Sequence, residues 1–290
     1  MKIGLQINRF DFDGGDSKIG EHLAMVAKKA DEVGFDSLWV MDHFFQIHYL
    51  GASTDPMLEA YTTLGFIAGV TKRARLGTMV TGVVYRAPAL LVKAVTTLDV
   101  VSGGRAYMGI GAGWNEEEAV GLGLTRPLES GRFERLEETL KIAKQMWAGD
   151  RKPFHGKFYQ LEKPISSPQP ISKPHPPILI GGGGEQKTLK LVAQYGDACN
   201  LFNTPELEHK LSVLKEHCEA VGRDYEEIEK TVLMSMTVDH AASHPKEVLE
   251  RAAQLSELGI DHAIFANARD TDEKTLDQFT DKVAGDMRAL

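Results

Sequence analysis

An apolar run, Ser37-Leu38-Trp39-Val40-Met41, stops at an acid and a histidine, Asp42 and His43. Histidine exchanges a proton near neutral pH, so the pair reads as proton-transfer chemistry: His43 gives or takes the proton, and Asp42 orients it or binds a ligand. A carboxylate that only caps the loop is the bland alternative. A second concentration of chemistry is Gly181-Gly182-Gly183-Gly184, which follows the apolar Pro177-Ile178-Leu179-Ile180 and precedes a helical pattern beginning at Glu185. Backbone without side chains approaches a ligand closely, and N–H groups at a helix start attract an anion. Four consecutive glycines destabilise a chain unless they are used, so the run containing Gly182, Gly183 and Gly184 reads as an anion site, with a merely permissive turn as the bland alternative.

Other segments carry weaker messages. Gly109-Ile110-Gly111-Ala112-Gly113 lacks the GxGxxG spacing and early position of a dinucleotide fingerprint, and Gly111 and Gly113 read as room for a planar ligand. Arg86, just before Pro88, suits a local salt bridge better than an anion site. Arg132-Phe133-Glu134-Arg135-Leu136-Glu137-Glu138 reads as a solvated helix face with i,i+3 and i,i+4 pairs. Zinc spacing, a P-loop and a nucleophile elbow are all missing, so metal, kinase and hydrolase readings have no motif behind them.

What must position these residues is a repeated alternation of short apolar runs with amphipathic stretches. Strands are expected near residues 2–8, 36–41, 75–81, 105–111, 177–182, 197–202, 230–238 and 260–266. Helices are expected near 18–34, 57–71, 88–102, 131–148, 185–195, 204–222, 245–258 and 272–288. Gly34 marks a helix end, and Thr204-Pro205 marks a helix start. The pattern predicts an α/β fold, a (β/α)8 TIM barrel occupying 1–290 as a single domain, with ligands at the carboxyl ends of its strands. Residues 112–130 are too long for a tight turn and read as a cover over the site, with Glu116 and Glu117 in it. Residues 149–176 read as an insertion after the fourth helix, holding a hairpin over 154–161.

The bulk composition narrows the partners. Lys plus Arg number 33 against 41 Asp plus Glu, a formal charge of -8, so neither nucleic acid nor an anionic membrane surface is expected as a partner. The chain opens directly on a strand-like segment, which suggests a cytoplasmic protein. Cys199 and Cys218 have no CxxC spacing and are expected to be free thiols.

In this order the segments resemble the luciferase-like monooxygenase superfamily, specifically its branch of deazaflavin-dependent oxidoreductases. The resemblance spans nearly the whole chain. It is carried by Trp39 to Phe44, by Leu76-Gly77-Thr78-Met79-Val80, by Ser102-Gly103-Gly104-Arg105 with Gly109 to Trp114, and by Pro177 to Gly184. It implies a barrel with an insertion, a homodimer, a small-molecule substrate and coenzyme F420 as cofactor, with FMN as the alternative. It implies also that Asp42 and His43 approach the cofactor ring and that a non-proline cis bond between Met79 and Val80 lies against the ring's rear face. Gly183 and Gly184 would hold the phosphate, and Glu117 falls near a ring-contacting asparagine of some relatives. The sugar-phosphate dehydrogenase branch has an acid where Trp114 aligns and a tryptophan shortly after the histidine. This chain has Phe44-Phe45-Gln46-Ile47 there, so a sugar phosphate is not the expected substrate. Two competing functions are an oxygen-using, FMN-dependent monooxygenase and a non-catalytic flavin-binding protein.

Overall fold

The computed structural model describes residues 1–126 and 131–290. Its main sheet is parallel throughout and built from β1 (Lys2–Ile7), β2 (Ser37–Val40), β3 (Arg75–Thr78), β4 (Thr81–Gly82), β5 (Met108–Gly111), β8 (Ile178–Gly181), β9 (Ala198–Phe202), β10 (Glu229–Thr237) and β11 (His262–Ala266). The strand order is β3-β2-β1-β11-β10-β9-β8-β5-β4. Two features turn this ribbon into an eight-staved barrel. Tyr107 N donates to Leu76 O at 2.8 Å, next to a parallel bridge between Leu76 and Ala106, which joins β3 to the run leading into β5. β3 and β4 are halves of one stave: the first pairs with β2, the second with β5, and the Met79–Val80 bond between them is cis. The single strand expected over 75–81 is thus interrupted.

The helices follow the apolar spacing. α1 (Ile19–Val33) buries Ile19, Leu23, Val26, Ala27 and Ala30 along one stripe, and Gly34 closes it at φ 100°, where a side chain would be strained. α2 (Ala60–Val70) packs next to it and α3 (Pro88–Ser102) packs next to α2, α3 opening on its proline. α4 (Glu116–Gly121) is a short helix inside the expected cover, whose residues 127–130 lie outside the described ones. α5 (Arg132–Trp147) is followed by the small antiparallel hairpin of β6 (Phe154–His155) and β7 (Gln160–Leu161). α6 (Thr188–Tyr195) and α7 (Leu207–Val221) follow β8 and β9. The cap of α7 is Glu206, so Thr204-Pro205 precedes the helix rather than starting it. A short α8 (Val238–Ser243), not anticipated, begins directly at the end of β10 because Thr237 Oγ1 accepts from His240 N at 3.2 Å. α9 (Pro245–Glu257), α10 (Glu273–Phe279), a π turn and α11 (Gly285–Ala289) complete the layer.

The solvated face expected on α5 holds in part, Glu137 pairing with Lys141 at i,i+4 and 2.8 Å, and is corrected at Arg135 and Glu138. Glu138 accepts from Lys157 N, Phe158 N and Tyr159 N at 2.6, 3.0 and 3.1 Å, and the Arg135 guanidinium lies 4.3 Å from the Phe158 ring centre. These charges hold the hairpin. Inside the barrel Trp39, Met79, Tyr107, Leu179, Ala198 and Ile264 form a packed core, so the barrel is plugged below its mouth. Gly77 is required there: a Cβ on it would stand 2.6 Å from Trp39 Cζ3. Both cysteines are free and buried. Among the described residues no helix is long and apolar enough to cross a membrane.

Candidate active site

The carboxyl ends of the strands surround a cavity of about 360 Å³. His43 enters it from the segment after β2, Met79 and Val80 from the break in the third stave, and Gly111, Ala112, Gly113 and Trp114 from the end of β5. The opposite wall is residues 181–184 with Thr188, Asn200, Phe202 and Leu233; Arg132 and Phe133 close one side from the start of α5.

His43 is held by a carboxylate 75 residues away in sequence: its Nδ1 lies 2.6 Å from Glu118 Oε1. The expectation that Asp42 orients this ring is therefore corrected. Glu118 is fully buried, and three of its four contacts, Tyr85 Oη, Phe44 N and Phe45 N, are donors. Tyr85 Oη shares Oε1 with His43, while Oε2 accepts from Phe44 N at 2.7 Å and Phe45 N at 3.2 Å. Burial alone would push Glu118 up. The hydrogen bonds from His43, Tyr85 and Phe44 N outweigh it and hold the carboxyl below its ordinary value. Burial and the adjacent Glu118 push the Tyr85 phenol up, so it stays a donor. With Nδ1 engaged, the other ring nitrogen of His43 is the one available to the cavity, beside the Trp114 ring at 5.4 Å between centres.

Asp42 points away from this ring. It is 1% exposed, and both its oxygens are taken by Arg86, one of them at 2.9 Å from Nη2. Burial pushes Asp42 upward and the guanidinium opposes it. Arg86 also meets Glu59, so the salt-bridge reading of Arg86 holds, with partners distant in sequence. Asp42 does not line the cavity. Nor does Glu117, which is exposed on α4; the neighbouring Glu118, about 100° round the helix, turns inward instead. Glu116 is half-buried and also outside the lining.

The glycines form a floor. A Cβ on Gly111 would stand 2.9 Å from Val80 Cγ2, and one on Gly181 would stand 2.8 Å from Val80 Cγ1, so the Val80 side chain fills the space beneath them. Gly182 has φ 118°. The helix after the glycines starts three residues later than expected, at Thr188, so residues 182–184 form a loop ahead of α6 rather than its first turn. Lys210 Nζ donates to Gly183 O at 3.0 Å, placing an ammonium beside that loop. A glycine and apolar floor leading to a glycine loop with an adjacent cation suits an elongated ligand with a planar head and an anionic tail.

Sequence reasoning missed Glu118, Tyr85, Asn200, Arg132 and Lys210 as parts of this site. None of them had a local signal: Glu118 stands third in a run of acids at the start of α4, and the groups that meet it are remote in sequence.

The luciferase-like monooxygenase family model matches residues 9–282. An F420-dependent glucose-6-phosphate dehydrogenase of Kineococcus radiotolerans is 31% identical over 255 residues, covering 86% of this chain and 71% of that protein. A second protein of that name, from Amycolatopsis mediterranei, is 26% identical over 100% of this chain and 99% of its own length. Among solved structures, an F420-dependent secondary alcohol dehydrogenase in complex with an F420-acetone adduct superposes with a TM-score of 0.81 at 20% identity, covering 98% of both chains. The coenzyme F420 dependent tetrahydromethanopterin reductase of Methanopyrus kandleri does so with a TM-score of 0.80 at 16% identity, also covering 98% of both chains. These two likenesses concern the fold. The family match runs from the end of the first stave to the closing helices and includes every residue that lines the cavity, and on that span the chain belongs to the luciferase-like monooxygenase family.

Proposed function

We propose that this chain is a coenzyme F420-dependent oxidoreductase that moves a hydride between the deazaflavin and a small organic substrate, with His43 carrying the accompanying proton. The observation behind this reading is the imidazole of His43, anchored through Nδ1 and bordering a glycine-walled cavity at the strand ends. The names of the relatives support the choice of cofactor. When bound, a deazaflavin supplies hydride chemistry and supports oxygen activation poorly.

The chain's own residues divide the remaining work. Met79, Val80, Gly111 and Gly113 would support the ring, since the surface they line is apolar and carries no side chain at its two glycines. Residues 182–184, with Lys210 beside them, would hold the phosphate. Asp42, sealed under Arg86, supports the segment that carries His43. In the direction of alcohol oxidation the substrate's C–H leaves with two electrons as a hydride and its O–H proton passes to His43 Nε2, leaving a carbonyl. Phe133, Phe202 and Trp114 make the walls aromatic, and Arg132, the one guanidinium or ammonium in the lining among the described residues, is turned onto Gly113 O at 2.7 Å. This favours an uncharged substrate over a sugar phosphate.

A parallel titration with coenzyme F420, FMN and NADPH tests the proposal. Micromolar or tighter binding of F420, weaker binding of FMN and F420-linked turnover of alcohols or ketones are expected. Equal or tighter FMN binding with oxygen consumption would replace it by a monooxygenase, and binding without turnover of any acceptor would replace it by a carrier.

A further inference from the structure

The four hydrogen bonds of Glu118 fix more than the position of His43. Tyr85 Oη and the two backbone N–H groups of Phe44 and Phe45 are donors, and the backbone pair cannot reverse its role. Glu118 is fully buried; burial pushes its carboxyl up, and His43 first, then Tyr85 and Phe44 N, hold it below its ordinary value. As an acceptor only, it requires a proton on His43 Nδ1, which in a neutral imidazole leaves the Nε2 lone pair free. We infer that Glu118 is a positioning residue that sets the His43 tautomer, making Nε2 the proton acceptor toward the cavity for substrates that release a hydroxyl proton as they lose a hydride, and the proton donor, once protonated, in the reverse direction. This rests on the proposed role of His43 as the proton carrier. The electrons of the C–H bond leave with the hydride to the oxidised cofactor, the O–H proton goes to Nε2, and the imidazolium that forms is stabilised by the Glu118 carboxylate at 2.6 Å.

Glu118→Gln separates the carboxylate's charge and acceptor character from its size. The glutamine carbonyl must face Phe44 N and Phe45 N, because an NH2 turned there would meet two donors. Its NH2 then faces His43 Nδ1 and Tyr85 Oη; the phenol rotates to accept, and Nδ1 has to accept as well. The proton moves to Nε2, and the lone pair toward the cavity is lost.

The tautomer can be read without cofactor, by two-bond ¹H–¹⁵N imidazole spectra of the complete chain, with the signals of His43 identified as those missing from His43→Ala. The wild type is expected to show the proton on Nδ1, Glu118→Gln to show it on Nε2, and Tyr85→Phe to keep the wild-type form. With F420 and an alcohol substrate, Glu118→Gln should lower kcat roughly 10²–10⁴-fold with KM within a few-fold, the range of a lost general base. A wild-type proton on Nε2 overturns the inference even where the glutamine variant fails to fold. So does a glutamine variant that keeps the proton on Nδ1, or one that changes tautomer and turns over normally. Failure of the wild type to bind or use F420, with the tautomers as expected, would remove the proposed function and leave the positioning by Glu118 standing.

Discussion

Arg86→Ala asks whether the segment carrying His43 stands on a buried ion pair. Asp42 is 1% exposed and the Arg86 side chain 12% exposed, and their bidentate contact includes a separation of 2.9 Å. With an effective dielectric constant of about 20, attraction at that distance is about 6 kcal/mol, and desolvating two ions costs a similar amount, so the intact pair is nearly neutral for stability. Removing one partner is not neutral. Glu59 is 39% exposed and is solvated without Arg86, whereas Asp42 is left as a buried carboxylate with no counter-charge, at a cost of about 3–5 kcal/mol. On the scale of about 2–4 °C per kcal/mol for chains of 150–250 residues, the melting temperature should fall by about 6–20 °C. The sign of the pH dependence follows. Burial pushes the folded-state Asp42 upward, and without Arg86 it rises further above its unfolded value. A raised carboxyl destabilises wherever the unfolded chain is ionised, and that penalty fades as pH falls toward the unfolded value. The deficit of Arg86→Ala should therefore shrink between about pH 7.5 and about pH 5, and adding Asp42→Asn should remove most of it at the higher pH. Melting curves followed by circular dichroism at both pH values decide this. A loss below about 2 °C, or an equal loss at both pH values, would refute the assignment of Asp42 and Arg86 as a supporting ion pair.

Three further outcomes are expected. Gly183→Asp should weaken F420 binding at least ~10-fold in a fluorescence titration while shifting the melting temperature little, because its Cβ meets only the flexible Lys210 side chain at 3.1 Å while its charge enters the proposed phosphate loop; unchanged affinity would place the phosphate elsewhere. His43→Ala should leave F420 affinity within a few-fold and lower steady-state turnover by roughly 10²–10⁴, and a near-normal rate would remove it as the proton carrier. Because Glu118 is held below its ordinary value, the stability it confers is complete above the unfolded carboxylate range and is lost as pH falls toward the folded value; Tyr85→Phe, lacking one donor, should make the melting temperature less sensitive to acid, and an unchanged acid slope would count against this.

The barrel was legible because its staves are short apolar runs and its helices keep one apolar stripe, as in α1. The interruption of the third stave was legible only through resemblance, since nothing in the residues Met79 and Val80 by themselves announces it. The partnering of charges was not legible. Three successive glutamates, 116 to 118, look like a solvated helix start, yet Glu118 is fully buried because its four partners come from β2's exit and from Tyr85, remote in sequence. α5 was legible only in part for the same reason: Glu137 keeps an i,i+4 pair with Lys141, but Glu138 accepts from backbone N–H groups of the following hairpin and Arg135 lies against a ring there. Helical spacing reports contacts within one element, whereas this site is assembled from the ends of several.

The same barrel contains a second carboxylate–histidine pair, and the comparison shows what makes the first one a candidate for chemistry. Glu229, His262 and Ser37 begin β10, β11 and β2, at the amino-terminal end of the parallel staves. His262 Nδ1 is 3.3 Å from Glu229 Oε1 and its Nε2 is 2.9 Å from Ser37 Oγ, an order of residues that on paper matches a nucleophilic triad. Burial would push Glu229 up, but His262, Tyr107 at 2.6 Å and Lys2 at 2.9 Å hold it low. Yet Ser37 and His262 are 1% and 2% exposed, and Trp39 Nε1 donates to Ser37 Oγ at 2.6 Å, so every polar atom of the relay except the Glu229 rim faces another protein atom. That network closes the bottom of the barrel. In the Glu118 and His43 pair one imidazole nitrogen is spent on the carboxylate and the ring's other edge borders the cavity, at the end of the staves where this fold gathers its ligand-facing loops. Residue types alone cannot tell the two pairs apart; the difference lies in what the second nitrogen meets.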